Sequence, residues 1–530
     1  MKKSLILLAA TALPAAMMAQ SAVDAYNLSQ TELRGTARFM SMGGAFTALG
    51  GDLSTLNQNP AGIGVYRRSE IGATLDISPR TISTQSPEAR YDVSRTKAYC
   101  NNFGYVGTIR LSGDMRTFSW GVSYNRIASF DRSYNSYNGS TATSLSNYIA
   151  GYTNSDESAL NFGSNYNPYR DSNEDWLSIL AYNTFLINPV GNKQYQGLYE
   201  SGVTQGDSYS EIRETGYVDE YAIDFGGNVN DCVYWGLGFG ITDLSYTLNA
   251  LYSESMKDAQ VPTASGQIVR GNAGFELGNW RAISGSGWNF KAGVILKPVQ
   301  QLRIGLAVHT PTWYSLSQEG KAQLDYSYLN PNAAETSDNP YTGSEYTDDY
   351  YYNFRMNAPW KFMAGVAGVI GNSAIVSLDY ERQAYGDMTV SYQDNWGSYT
   401  KDDYVTDDIK NYFKATDIIR VGLEYRLTSN FSARAGYNHS TTNVKSEAAN
   451  DQLEIYTSGM FPSYVLNKDT NAYSLGLGYR YKAVYFDAAY VHTRKSATFH
   501  AYTSFADVQA PQTDYTQKTN SVVLSLGFKF

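Results

Sequence analysis

Four histidines, His309, His439, His492 and His500, are the obvious acid–base groups in this chain of 530 residues. A serine nucleophile on a strand needs its base two positions away, because only that spacing puts both side chains on one face within hydrogen-bond reach. None of the four has Ser at that spacing, and His439 and Ser440 are adjacent and so point to opposite faces. No grouping of His, Cys and carboxylates has metal-ligand spacing. Cys100 and Cys232 can form one pair in an oxidising compartment, which is no disulfide framework for a chain of this length. The expectation is a protein with no catalytic residue, no metal and no cofactor; haem ligation by His309 or His500 is the alternative chemistry.

Binding chemistry is better represented. Between Leu33 and Val65, small residues interrupt apolar ones, Phe39, Met40, Met42, Phe46, Leu49 and Leu53 among them. Such side chains suit the walls of an apolar ligand pocket, or equally the packing of a plug. The stretch ends in Asn59-Pro60-Ala61-Gly62, a type I turn in which Pro fixes φ and Asn can cap its own turn. It is too broken by glycine for a long helix and too apolar for a free tail. A compact plug inside something larger fits it best. Before this stiff corner, Gly43-Gly44 and Gly50-Gly51 supply flexible hinges.

What encloses such a plug follows from period two. In the last stretch Val522, Leu524, Leu526, Phe528 and Phe530 alternate with mostly small or polar residues, and Tyr473 to Tyr481 repeat the pattern. Fourteen such strands begin near residues 69, 100, 117, 217, 232, 285, 301, 354, 372, 415, 430, 471, 483 and 520. Tight turns, as at Asn230-Asp231, alternate with long polar loops near 79–99, 127–216, 246–284, 311–353, 386–414, 440–470 and 495–518. That asymmetry belongs to a transmembrane β-barrel with long loops outside and both chain ends on the tight-turn side. Charges fall on the inward phase: Asp76, Arg110, Glu220, Asp224, Arg303, Asp379, Glu381, Arg420, Glu424, Arg426, Arg434 and Asp487. Arg303, Arg420, Arg426 and Arg434 can hold a substrate carboxylate or lie in ion-pair networks with the nearby acids. Gly236, Gly238 and Gly240 point inward and leave room for another backbone. In the second loop, Ser172-Asn173-Glu174-Asp175 opens a helix that either offers a greasy rim patch or packs under the loops.

The N-terminus carries Lys2, Lys3, an apolar run from Leu5 to Met18 and Ala19, a secretory signal cleaved after residue 19. The expected organisation is a signal peptide (1–19), an N-terminal hatch or plug (20–68) and a barrel (69–530). A formal charge of −9 gives no basic face, so no nucleic-acid partner is expected.

The sequence resembles the long-chain fatty acid transporter (FadL) family of outer-membrane proteins. Gly44-Ala45, Asp52 and Asn59-Pro60-Ala61-Gly62 match its hatch, and Ala292–Pro311, Asn357–Val366, Ile418–Ser440 and Ser474–His492 match its barrel. The resemblance implies an all-β, 14-stranded antiparallel transmembrane β-barrel plugged by a small N-terminal hatch, in the outer membrane of a Gram-negative bacterium. It implies passive uptake of hydrophobic compounds, most of all long-chain fatty acids or similar lipids, with exit through a gap in the barrel wall. Asn59, Pro60 and Ala61 take the place of the family's gate. The partners implied are a fatty acid-like small molecule, outer-membrane lipids, and the barrel-assembly machinery acting on Phe530; the protein is expected to be a monomer. A receptor for haem or another hydrophobic ring compound, and a surface adhesin or structural barrel, are the rival readings.

Overall fold

The computed structural model describes residues 21–530 except 161, 164–165, 173, 263–267, 330–340, 372, 395, 458–459 and 505–508. The expected signal segment (1–19), Asn173 of the expected capping box and Asn372 therefore lie outside the described residues.

Fourteen antiparallel strands form a closed barrel. They are β1 (Glu70–Gln85), β2 (Arg90–Arg110), β3 (Met115–Ser129, continued by Arg132–Asn138), β4 (Gln205–Val229), β5 (Val233–Pro262) and β6 (Ile268–Val299). Then come β7 (Leu302–His309 and Trp313–Leu329), β8 (Tyr341–Tyr346, Tyr350–Asn357 and Lys361–Ile370) and β9 (Ala374–Gln383 and Thr389–Gln393). The last are β10 (Thr416–Arg426), β11 (Phe431–Ser440), β12 (Tyr464–Tyr481), β13 (Val484–His500) and β14 (Gln512–Lys529). β14 pairs with β1 from Lys529↔Glu70 to Asp514↔Gln85, which removes the free edge.

The alternation in sequence is the alternation in space. On β14, Val522, Leu526 and Phe528 are exposed while Val523 and Ser525 are buried, and Tyr473, Leu475 and Leu477 on β12 are likewise exposed. Exposed apolar residues circle the wall, the outward band that a lipid-facing barrel needs. With every strand paired within the closed wall, this is an outer-membrane barrel.

Several of the expected polar loops are ladder instead. β1 and β2 stay paired up to Gln85↔Arg90, and β5 and β6 up to Pro262↔Ile268. β13 and β14 stay paired to His500↔Gln512. Beyond the membrane a strand meets water outside, so its hydrophobic alternation fades while the ladder bonds persist. Ser, Thr and Tyr then read as loop although they pair well.

The chain start corrects a second expectation. Strand parity fixes where β1 begins, not where the residues before it lie. Helix α1 (Ala22–Leu28) sits at the long-loop end, where Tyr26 stacks on Phe413 at 4.4 Å and Asp24 pairs with Arg281 at 2.8 Å. Its Ala22, Val23, Tyr26 and Leu28 share one buried cluster with Leu145, Ile149, Leu180, Ile409 and Tyr502 of the loops. The helix of the second loop, Trp176–Asn183, is capped by Asp175 rather than Ser172 and buries Leu177, Ile179 and Leu180 in that cluster. It packs under the canopy and offers no rim patch. From α1 the chain descends through the bore and reaches β1 at the tight-turn end.

Candidate functional site

The descending segment is held at a level where the wall narrows to glycine. The Pro60–Ala61 backbone lies on Gly236, the Asn59 side chain on Gly293, the Thr47 carbonyl on Gly305, and Met42–Gly43 on Gly422 and Gly436. A side chain at any of these wall positions would strike backbone or a fixed amide. Of the three inward glycines expected to admit a backbone, Gly236 does so. Gly238 and Gly240 instead make room for the wall's own Asp224, Glu220 and Asn289.

Asn59 is completely buried. Its Nδ2 donates to the Thr47 carbonyl at 2.6 Å, and its Oδ1 accepts from the Ala61 amide at 3.1 Å. The Thr47 amide in turn donates to Asp379 Oδ2 at 2.7 Å, so the corner is tied to β9 through one residue. Pro60 opens a 3-10 helix, Pro60–Val65, and the expected turn is its first step. Gly43, Gly44, Gly50 and Gly51 all take positive φ, which suits glycine alone at such cost-free strain.

Phe39, Met40, Met42, Phe46 and Leu49 pack together against Ala472, Ala489, Val491 and Val523 of the wall, and Leu53 joins Leu56, Ile63 and Val106. Of the six expected pocket residues, Phe39 and Met40 also line the main cavity; Met42, Phe46, Leu49 and Leu53 are wholly packing.

That cavity, of about 280 Å3, lies between α1 and the Asn57–Gln58 corner. Its wall is more polar than an acyl pocket requires. Lys291, His309 and Lys361 stand directly opposite one another on β6, β7 and β8. Lys291 donates to Asn57 Oδ1 at 2.7 Å and pairs with Glu220, whose other oxygen accepts from Asn289 at 2.9 Å. His309 Nε2 meets the Gln58 carbonyl at 2.9 Å. Arg420 pairs with Glu381 and leaves its Nε and Nη1 without a partner. Among the described residues the Lys361 ammonium has no hydrogen bond or ion pair within 4 Å. Three cations thus face one space with two acids between them.

The other expected cations go elsewhere. Arg303 donates to the Leu49 carbonyl at 2.6 Å, Arg434 pairs with Glu424 and Asp487 at 2.6 Å each, and Arg426 is exposed at the tight-turn end. Arg38 joins Glu424 at 2.9 Å. His309 is engaged by the descending segment, and His500 is fully buried and stacked on Tyr464 at 4.6 Å. Cys100 and Cys232 are free thiols.

One side of the cavity is a break in the wall. β2 and β3 pair only from Arg110↔Thr117 up to Asn102↔Asn125. Above that point β2 continues with β1 alone and β3 with β4 alone. Each strand carries a one-residue bulge there, at Asn101 and at Ile127. The break begins eight residues above Arg110, roughly 20 Å along the barrel axis at ~3.3 Å per residue and ~40° tilt. It therefore opens within the outward apolar band. Residues 32–34 span it: the Glu32 amide donates to the Ile127 carbonyl at 3.2 Å and Arg34 donates to Asn101 Oδ1 at 2.9 Å. Glu32 also pairs with Arg34 at 2.8 Å and with Arg80 at 3.1 Å.

Sequence reasoning missed Glu32, Arg34, Asn101, Lys291 and Lys361. Two of them had a signal. Lys291 lies in phase with Asn289 and Gly293 on the inward face, and Asn101-Asn102 breaks the alternation at the bulge, both side chains being buried.

No family model matches the sequence, and no curated protein matches it. Among solved structures the chain resembles a Pseudomonas aeruginosa FadL homologue, with TM-score 0.52 and 13% identity over 94% of this chain and 99% of that one. It also resembles a deltaS2 mutant of the TodX monoaromatic hydrocarbon channel, with TM-score 0.50 and 14% identity over 94% and 100% of the two chains. The P. putida toluene transporter TodX aligns at TM-score 0.49 and 14% identity, over 94% and 99%. At such identities the likeness is one of fold: the chain has the FadL-type barrel.

Proposed function

We propose that this barrel is a passive channel for hydrophobic compounds, and that its preferred cargo is a hydrophobic acid of the long-chain fatty acid type. The residues from 20 to 68 act as its hatch, and Asn59, Pro60 and Ala61 as the gate. The observation that carries the reading is the cavity, which Phe39 and Met40 line together with Lys361 and with Arg420, whose Nε and Nη1 have no partner. A neutral hydrocarbon gains nothing from buried cations, whereas a carboxylate satisfies them with charge-assisted bonds. The break between β2 and β3 adjoins the same cavity, since Arg126 to Phe130 line both. It offers an exit into the bilayer that spares the cargo the aqueous side. The named channels of the same fold, one of them for monoaromatic hydrocarbons, support the hydrophobic class.

Equilibrium binding of oleate and of its neutral methyl ester to the detergent-purified protein tests the choice of cargo. Oleate should bind about tenfold or more tightly than the ester, the scale of one charge-assisted hydrogen bond. Lys361→Met should close most of that gap. Equal binding of the two ligands to the wild type would contradict the acid preference.

A further inference from the structure

The outer face of β12, β13 and β14 carries charges where a barrel meets lipid. On β14 the outward residues run Phe528, Leu526, Leu524, Val522, Asn520, Lys518 from the tight-turn end upward. Ten residues separate Phe528 from Lys518, roughly 25 Å along the axis at ~3.3 Å per residue and ~40° tilt. That equals the height of the apolar band of an outer-membrane barrel, about 25 Å. Lys518 thus stands at the level of the lipid phosphates on the long-loop side.

Beneath it a polar layer replaces the aliphatic one. Tyr490 and His492 both bond Asn520 Oδ1, at 2.8 Å, and Tyr437 and His439 bond Asn471 Oδ1 at 2.7 and 3.0 Å. Above this layer Arg494 is the direct cross-strand partner of Lys518. Two like charges directly opposite one another are unfavourable unless an anion lies between them. Neither has an ion pair or hydrogen bond among the described residues, and both are exposed. The acids nearby are committed, Asp514 to Lys468 at 3.4 Å, Asp92 to Arg90 at 3.1 Å and Asp469 to the Thr442 amide at 2.8 Å. A register shift between Asn467 and Thr470 dents β12 beside Arg494 and widens the niche.

We propose that this face is a binding site for the phosphates of an outer-leaflet glycolipid of the lipid A class. Arg494 supplies a planar fork and Lys518 a point charge, the pairing suited to one phosphate held against two strands. Tyr473 and Tyr490 below them take the glycolipid's acyl–sugar boundary, the usual place of interfacial aromatics. The site is outside the barrel and independent of the cavity and its cargo.

Native mass spectrometry of the full-length protein tests it, with bisphosphorylated lipid A and the same lipid stripped of both phosphates as probes. The wild type should retain the phosphorylated lipid about tenfold or more over the stripped one. R494Q/K518Q should lose that preference while still forming a heat-modifiable barrel, and each single variant should lose part of it. Equal retention of both lipids by the wild type, or an unchanged preference in the double variant, would overturn the proposal. Inorganic phosphate in tenfold excess should not displace the lipid; displacement would mark a site for any phosphate and overturn the assignment to lipid.

Discussion

The Arg34 guanidinium donates to Asn101 Oδ1 at 2.9 Å, and Asn101 is the bulged residue above which β2 no longer pairs with β3. A residue of the descending segment thus closes the wall where the wall's own ladder stops. Glu32, bonded to Ile127 and Ser129 of β3, completes the bridge from the other strand.

Cys100 lies next to that bulge, exposed on the outer face, and gives a native handle on the break. In a Cys232→Ser background, a bulky maleimide on Cys100 should slow uptake of a hydrophobic acid at least several-fold. Arg34→Ala should leave uptake intact or raise it, because it removes the bridge and not the path. Full-speed uptake by the Cys100-labelled protein would place the exit elsewhere.

Arg38 and Glu424 tie the segment to β10, and Glu424 also serves Arg434. Removing one partner of a buried pair costs about 3–5 kcal/mol; the pair here is partly exposed, so the lower part of that range applies. Arg38→Ala should therefore lower the heat-modification midpoint, and Arg38→Ala with Glu424→Gln should recover part of the loss. No change in either variant would show that glycine-lined packing alone holds the segment.

The canopy should depend on pH in a defined direction. Burial raises the Asp175 carboxyl to about 6, against the opposing help of the Ser178 and Leu177 amides. The ordinary value is 3.8. An acid whose folded value is raised binds more protons folded than unfolded between those limits, so its contribution to stability falls as pH rises from about 4 to about 6. Hydrogen exchange of residues 176–183, corrected for the intrinsic rate, should be slower at pH 5 than at pH 7.5. Asp175→Asn should flatten the difference, and an unaltered pH response in that variant would refute the assignment.

Phe530 lies against the start of β1, its amide donating to the Ser69 carbonyl at 3.0 Å while its ring stacks on Phe528 at 5.7 Å. We propose that it is a recognition signal for the barrel-assembly machinery as well as an outward aromatic. Its deletion should lower the yield of heat-modifiable barrel in the outer membrane without lowering the stability of what does assemble. An unchanged yield would leave Phe530 a lipid-facing ring alone.

The barrel was legible because each strand carries its own evidence. Val522 to Phe528 or Tyr473 to Tyr481 need only period two to declare a lipid face, and the tight turns set the order. The site was legible only in part. The Asn59–Gly62 corner announces itself locally, and so do the inward cations on their strands. The break does not, because it depends on two single-residue bulges, Asn101 and Ile127, whose alignment exists only once β2 and β3 are paired. The ascent of α1 into the canopy was equally hidden: Tyr26 meets Phe413 from far along the sequence, and nothing in either neighbourhood names the other.

The central claim, uptake of a hydrophobic acid through a cavity gated by the Asn59–Gly62 corner, meets its most direct test in the initial rate of labelled oleate uptake by intact cells lacking any channel of their own for it. Cells expressing the wild-type chain should take up oleate about tenfold or more faster than cells without it, with no dependence on an energy source. Asn59→Ala/Pro60→Ala frees the Thr47 carbonyl and the Ala61 amide, each worth ~1 kcal/mol, and should slow uptake several-fold in a barrel that still folds. A wild-type rate no higher than that of cells without the chain would contradict the account.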